Sequence, residues 1–240
     1  MNKLGIIAII GLAISAVSMG VAASLGAQGG GAMNWSWFDD LGDCKVNHAT
    51  ATSRSFDWKG GDEVDVSVPV NLHYKPGQGT QVEVSGDPEL VSHVTLDDDG
   101  DIKLDCNGHH WHHQRLDITL PGNRTFREID LKGAGSMTLE SLNQPELEID
   151  MAGSGEVMAS GKTDNFSISI AGHGTVHAKD LIAQKVKIDI AGHGEIETSP
   201  IDTADISIAG HGNVKLYSEP KHVETSILGH GEVEHMAPKG

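Results

Sequence analysis

The stretch Ile168-Ser169-Ile170-Ala171-Gly172-His173-Gly174-Thr175-Val176 is written again, twenty residues on, as Ile188-Asp189-Ile190-Ala191-Gly192-His193-Gly194-Glu195-Ile196. Apolar and polar residues alternate, a Gly-X-Gly turn follows, and an aliphatic residue closes the unit. Working outward, the turn recurs as Ala152-Gly153-Ser154-Gly155, Ala209-Gly210-His211-Gly212 and Leu228-Gly229-His230-Gly231, with a weaker copy at Gly133-Ala134-Gly135. The first glycines are 18 to 20 residues apart. A fixed period of that size, with period-two alternation and no helical pattern, predicts a solenoid of stacked β rungs.

Alternation assigns the faces. Leu147, Ile149 and Met151 share a face, as do Phe166, Ile168 and Ile170, then Val186, Ile188 and Ile190. Ile206 and Ile208 follow, then Val223 and Ile227, and after each turn one aliphatic returns inward: Val157, Val176, Ile196, Val214, Val233. At a strand spacing of about 4.8 Å these would form continuous aliphatic columns. The outward columns suit in-register stacking. Glu156, Thr175, Glu195, Asn213 and Glu232 never put acids on neighbouring rungs, and Lys215 falls between Glu197 and Glu234. Like charges directly opposite would be unfavourable.

Upstream the β pattern is less regular. Val64 to Val68, Gln81 to Val84 and Ile102 to Leu104 alternate between breaks at Lys59–Asp62, Lys75–Gly77, Gly86–Pro88 and Asp97–Asp101. The organisation expected is residues 1–27 as a signal peptide or an uncleaved anchor, 28–43 as a linker, and 44–240 as one β domain. Within that domain 44–128 is irregular and 129–235 holds the regular rungs.

The charge of −17 argues against nucleic acid and against anionic membrane surfaces. Fourteen histidines, once protonated, would cancel most of it, so the surface is open to pH control. Aromatic residues make up only 4%, which suits a narrow aliphatic core. Lys3 followed by an uncharged stretch from Leu4 to Ala27 reads as an export signal, with cleavage points after Ala23 or Ala27. Contact with a membrane is expected only if that segment stays uncut. In an oxidising compartment Cys44 and Cys106 would pair as a disulfide.

The Gly-X-Gly turns, with Ser55-Phe56, Val64-Asp65-Val66, Val84-Ser85-Gly86-Asp87 and Asp101-Ile102-Lys103-Leu104, resemble the bacterial family described as "putative auto-transporter adhesin, head GIN domain". The likeness runs from about Cys44 to the C-terminus. It implies an exported protein, in the periplasm or at the surface of a bacterial cell, with a right-handed parallel β-helix fold. One departure is chemical: the family's turns are similar to Ser-Gly-Ser-Gly, whereas here only Ser154 keeps the serine and four turns carry histidine. After Gly231 this chain leaves no room for a C-terminal membrane barrel, so the word "auto-transporter" is not carried over.

Two histidine groups are candidate sites. His173, His193, His211 and His230 occupy equivalent turn positions and would line up about 5 Å apart. They would form a stacked ladder, a pH-sensitive surface, or paired ligands for zinc, copper or nickel. His109, His110, His112 and His113 form a local tract able to take the same metals. The tract lacks the cysteine pairs or His-x₃-His spacing of a structural zinc site. Asp97 to Asp101 fails the EF-hand pattern, because Thr95 would stand at its first ligand position, and reads as a hairpin turn. Glu156, Glu195 and Glu232 would stand on alternate rungs, a regularity that periodicity explains without catalysis. The expectation is a non-enzymatic, exported envelope or surface scaffold of adhesin type that binds a glycan or an envelope protein. Homo-oligomers through open β edges are expected as well. A histidine-dependent metal-binding or pH-sensing periplasmic protein is the first alternative, and a glycan-active enzyme the second.

Overall fold

A computed structural model describes residues 50–106 and 115–236, all of which belong to one compact unit. Short alternating segments form β1 (Ser53–Phe56), β2 (Glu63–Val66), β3 (Val70–Tyr74) and β4 (Val82–Ser85). A one-and-a-half-turn helix, α1 (Pro88–His93), follows. Asp87 caps it by accepting from the Glu89 N–H, and Pro88 fits its first turn, where no N–H partner is needed. Then come β5 (Val94–Leu96), β6 (Asp101–Leu104) and β7 (Leu116–Thr119). The repeats form one long extended run, β8 (Glu128–Leu216), and a last strand, β9 (His222–His235).

The expected right-handed parallel β-helix is corrected by the strand pairing. The strands make a single mixed sheet, ordered β1-β4-β7-β3-β8-β2-β6-β5 with β9 on β8, that curls into a nearly closed barrel around one core. Three pairings are antiparallel: β1 with β4, β4 with β7, and β5 with β6. The cause lies in the irregular segment, where tight turns reverse the chain. Gly77, Gly79, Gly86 and Gly100 all adopt positive φ there. At the Asp97–Asp101 turn, the Asp97 carboxylate accepts from the N–H groups of Asp99 and Asp101. That stretch is the hairpin the composition predicts.

The periodic part keeps the phase read from the sequence. β8 and β9 pair in parallel from Thr203↔His222 to Leu216↔His235, and this aligns Gly210 with Gly229, His211 with His230 and Lys215 with Glu234. The inward aliphatics are buried: Ile149, Ile168, Ile188 and Ile206 have no exposure. Towards the first strands the core turns aromatic. Phe126 meets Trp58 and Tyr74 edge-on at 5.1 and 5.3 Å, and the Tyr74 hydroxyl donates to the Arg124 carbonyl at 2.7 Å.

α1 packs on β1 and β4, and Arg54 Nη1 donates to the carbonyls of Val91, Ser92 and Val94 at 2.9 to 3.1 Å, satisfying acceptors at the helix end. β9 branches from the middle of the sheet and pairs with β8 alone among the described residues. Val223 is 40% exposed, Ile227 39% and Leu228 75%.

Candidate functional site

The four turn histidines stand over one another along an open groove of about 960 Å³. The glycines fix them there. Gly192 has φ +131°, and a Cβ on it would lie 2.3 Å from the Gly172 carbonyl oxygen, so only a bare backbone stacks at this corner. The second glycine faces the core: a Cβ on Gly194 would press on Ile190 Cδ1 at 2.9 Å. The histidine between them is thereby held outward.

The rings of His173, His193, His211 and His230 stack face to face. Their centroids are 4.8, 4.8 and 5.1 Å apart and their planes lie within 9° of parallel. His193 and His211 are covered by a neighbouring ring on both faces, and all four histidines line the groove. Parallel rings hold their nitrogens side by side, so a metal in the plane of one ring is out of the plane of the next. Chelation at the ladder would require rings to rotate. Ser154 continues the line beyond His173, while Thr175, Glu195, Asn213 and Glu232 form one wall. Lys215 Nζ donates to Glu195 Oε1 at 2.7 Å. In the next column His177 bridges Glu197 at 3.0 Å and Glu156 at 3.7 Å. The bond from His177, joined by one from the Tyr217 hydroxyl, holds the Glu197 carboxyl below its ordinary range.

The second histidine group, His109, His110, His112 and His113, lies outside the described residues, as do Cys44 and residues 1–49. Cys106 is disulfide-bonded, so its sulfur is no thiolate ligand for the adjacent His93 and Asp105.

One constellation escapes sequence reasoning. Glu128, Asp130 and Asp150 bring carboxylate oxygens within 4.8 Å of one another. The parallel register of β2 with the start of β8 sets Asp65 beside Asp130. Burial, and after it the like charge of Asp150, pushes the Asp130 carboxyl up to about 6. Burial likewise raises Glu148. Lys132 pairs with Asp65, and Arg127 binds Glu128 at 2.9 Å and Glu63 at 2.5 Å. Oxygen clusters of this kind suit hard divalent cations. Here bound cationic side chains already share the charge.

Comparison with known proteins places this geometry. No curated protein matches the sequence. Among solved structures, a putative adhesin from Bacteroides fragilis NCTC 9343 superposes with a TM-score of 0.59 at 20% identity, covering 77% of this chain and 96% of that one, which shows a shared fold. A putative lipid binding protein from Parabacteroides distasonis ATCC 8503 gives a TM-score of 0.44 at 18% identity, covering 77% of this chain and 96% of that one. A putative adhesin from Parabacteroides merdae ATCC 43184 gives 0.41 at 16% identity, covering 77% and 95%. The family model described as "Putative auto-transporter adhesin, head GIN domain" matches residues 62–220, from the strand that opens the parallel pairing to the loop before the last strand, and the chain belongs to that family.

Proposed function

We propose that this protein is a non-enzymatic, exported scaffold of a bacterial envelope or surface that binds an extended ligand along the histidine groove. The observation that carries the reading is the ladder itself: four ring edges repeating every 4.8 to 5.1 Å beside a wall of hydroxyl, amide and carboxylate groups. A regular row of donors and acceptors matches a ligand with its own short repeat, such as a glycan chain, better than a compact small molecule. Enclosed small-molecule sites converge polar groups on one point, and this groove spreads them along a line. Its carboxylates follow suit: Glu195 is ion-paired to Lys215, and Glu232 lies two turns away. That layout supports binding over acid–base catalysis. The family and the export-type N-terminus support the location.

The test is a glycan array probed with the wild type and with His193→Ala/His211→Ala. A captured glycan should bind the double variant at least about tenfold more weakly, a difference of about 1.4 kcal/mol. Cleavage of that glycan would replace the scaffold reading with an enzymatic one. Calorimetry with Zn²⁺, Cu²⁺ and Ni²⁺ is expected to find no stoichiometric site at the ladder. Saturable binding that disappears in the double variant would make the protein a metal binder instead.

A further inference from the structure

We propose that two copies of this chain associate about a twofold axis, through antiparallel pairing of the β9 segment His222–Leu228 with the same segment of a second copy.

The edge of β9 supplies the first ground. An unpaired strand edge is a template for another strand. Among the described residues β9 has β8 as its one strand partner, and Val223, Ile227 and Leu228 are exposed. Pairing β9 with the same strand of a second copy about a twofold axis makes a closed, self-complementary contact.

The sequence of the segment supplies the second ground. In β9, Val223, Thr225 and Ile227 stand in register on Ala204, Ile206 and Ile208, which are all buried, so these three point towards the core face. An antiparallel register centred on Thr225 sets Val223 opposite the second copy's Ile227, Ile227 opposite its Val223, and Thr225 opposite itself. Each pair shares a face, so the aliphatic columns run on from one copy into the next. On the outer face Glu224 meets Ser226 and His222 meets Leu228. No acid faces an acid within the segment, as cross-strand pairing requires. The segment ends where it should: Gly229, at φ +121°, turns the chain out of line with the straight stretch.

Sedimentation velocity of the purified protein tests the association. A seven-residue strand pair is a small interface, so a dimer should dominate at about 100 µM. Ile227→Lys, at an exposed position, should leave the circular dichroism spectrum unchanged and yield a monomer at the same concentration. The register is tested by Thr225→Cys, which lies on the axis: mild oxidation should convert most of it to a disulfide-linked dimer on a non-reducing gel. Glu232→Cys, off the axis, should stay uncrosslinked. A monomeric wild type at about 100 µM overturns the proposal. So does a dimer that survives Ile227→Lys, or crosslinking that favours Glu232→Cys over Thr225→Cys.

Discussion

Asp130 shows what a single side chain contributes when neighbouring turns bring carboxylates together. Its folded carboxyl titrates at about 6 instead of the ordinary 3.8. The folded state therefore binds the proton more tightly than the unfolded state does. Stability from this group is present below about pH 4 and is lost as pH rises through about 6. Asp130→Asn should thus raise stability at pH 7.5 by about 1–2 kcal/mol, with the gain shrinking towards pH 4. Urea titrations of both proteins across that range check it, and a gain that grows on acidification would refute the assignment. The core of the cluster was within reach of the period, since Asp130 and Asp150 are 20 residues apart, as Gly133 and Gly153 are. Asp65, 65 residues before Asp130, joins them only through the β2–β8 pairing. Glycine carries the opposite lesson. Gly192→Ala adds one methyl group, yet that carbon would lie 2.3 Å from the Gly172 carbonyl oxygen at a φ of +131°. Adding left-handed strain to a backbone clash should cost at least about 2 kcal/mol. Gly61→Ala, where nothing lies within 4 Å of the new carbon, should cost under about 1 kcal/mol. Thermal melts of the two variants separate the effects.

Among the elements, those with a regular period were legible and those without one were not. The aliphatic columns, the glycine corners and the histidine ladder follow from alternation plus a repeat of 18–20 residues, because a fixed phase places equivalent residues side by side. Strand direction follows from neither. Gln81 to Val84 alternates the same way whether its neighbour runs with it or against it, and here β4 runs against both β1 and β7. That is why an all-parallel coil was the natural but mistaken expectation. The helix was missed too: six residues between a turn and a strand are too few to show a helical period. Its anchor is nevertheless testable. Arg54 bonds three carbonyls at the end of α1 and lies 4.7 Å over the Phe56 ring. Arg54→Ala should cost about 1.5–3 kcal/mol, read as a melting point lowered by several degrees. Arg54→Lys should recover only part of the loss, since one ammonium on a flexible stem does not reproduce the planar fork.

At the scale of the whole molecule, the charge of −17 governs how copies approach. Two acidic bodies repel over a screening length of about 10 Å at 0.1 M salt, while the pairing proposed at β9 is mostly backbone and aliphatic. Raising salt from about 50 to about 500 mM should therefore tighten association, and sedimentation at the two ionic strengths would show it. Weakening by salt would mean that ion pairs hold the copies together. The pairing of the strands has one more consequence, for which part of the chain can be spared. β2 and β3 both pair in parallel with the start of β8, so the irregular strands are needed to complete the sheet around the first repeat. β9 pairs with β8 alone among the described residues. Deleting residues 218–240 should therefore leave a shorter protein that keeps its cooperative thermal transition.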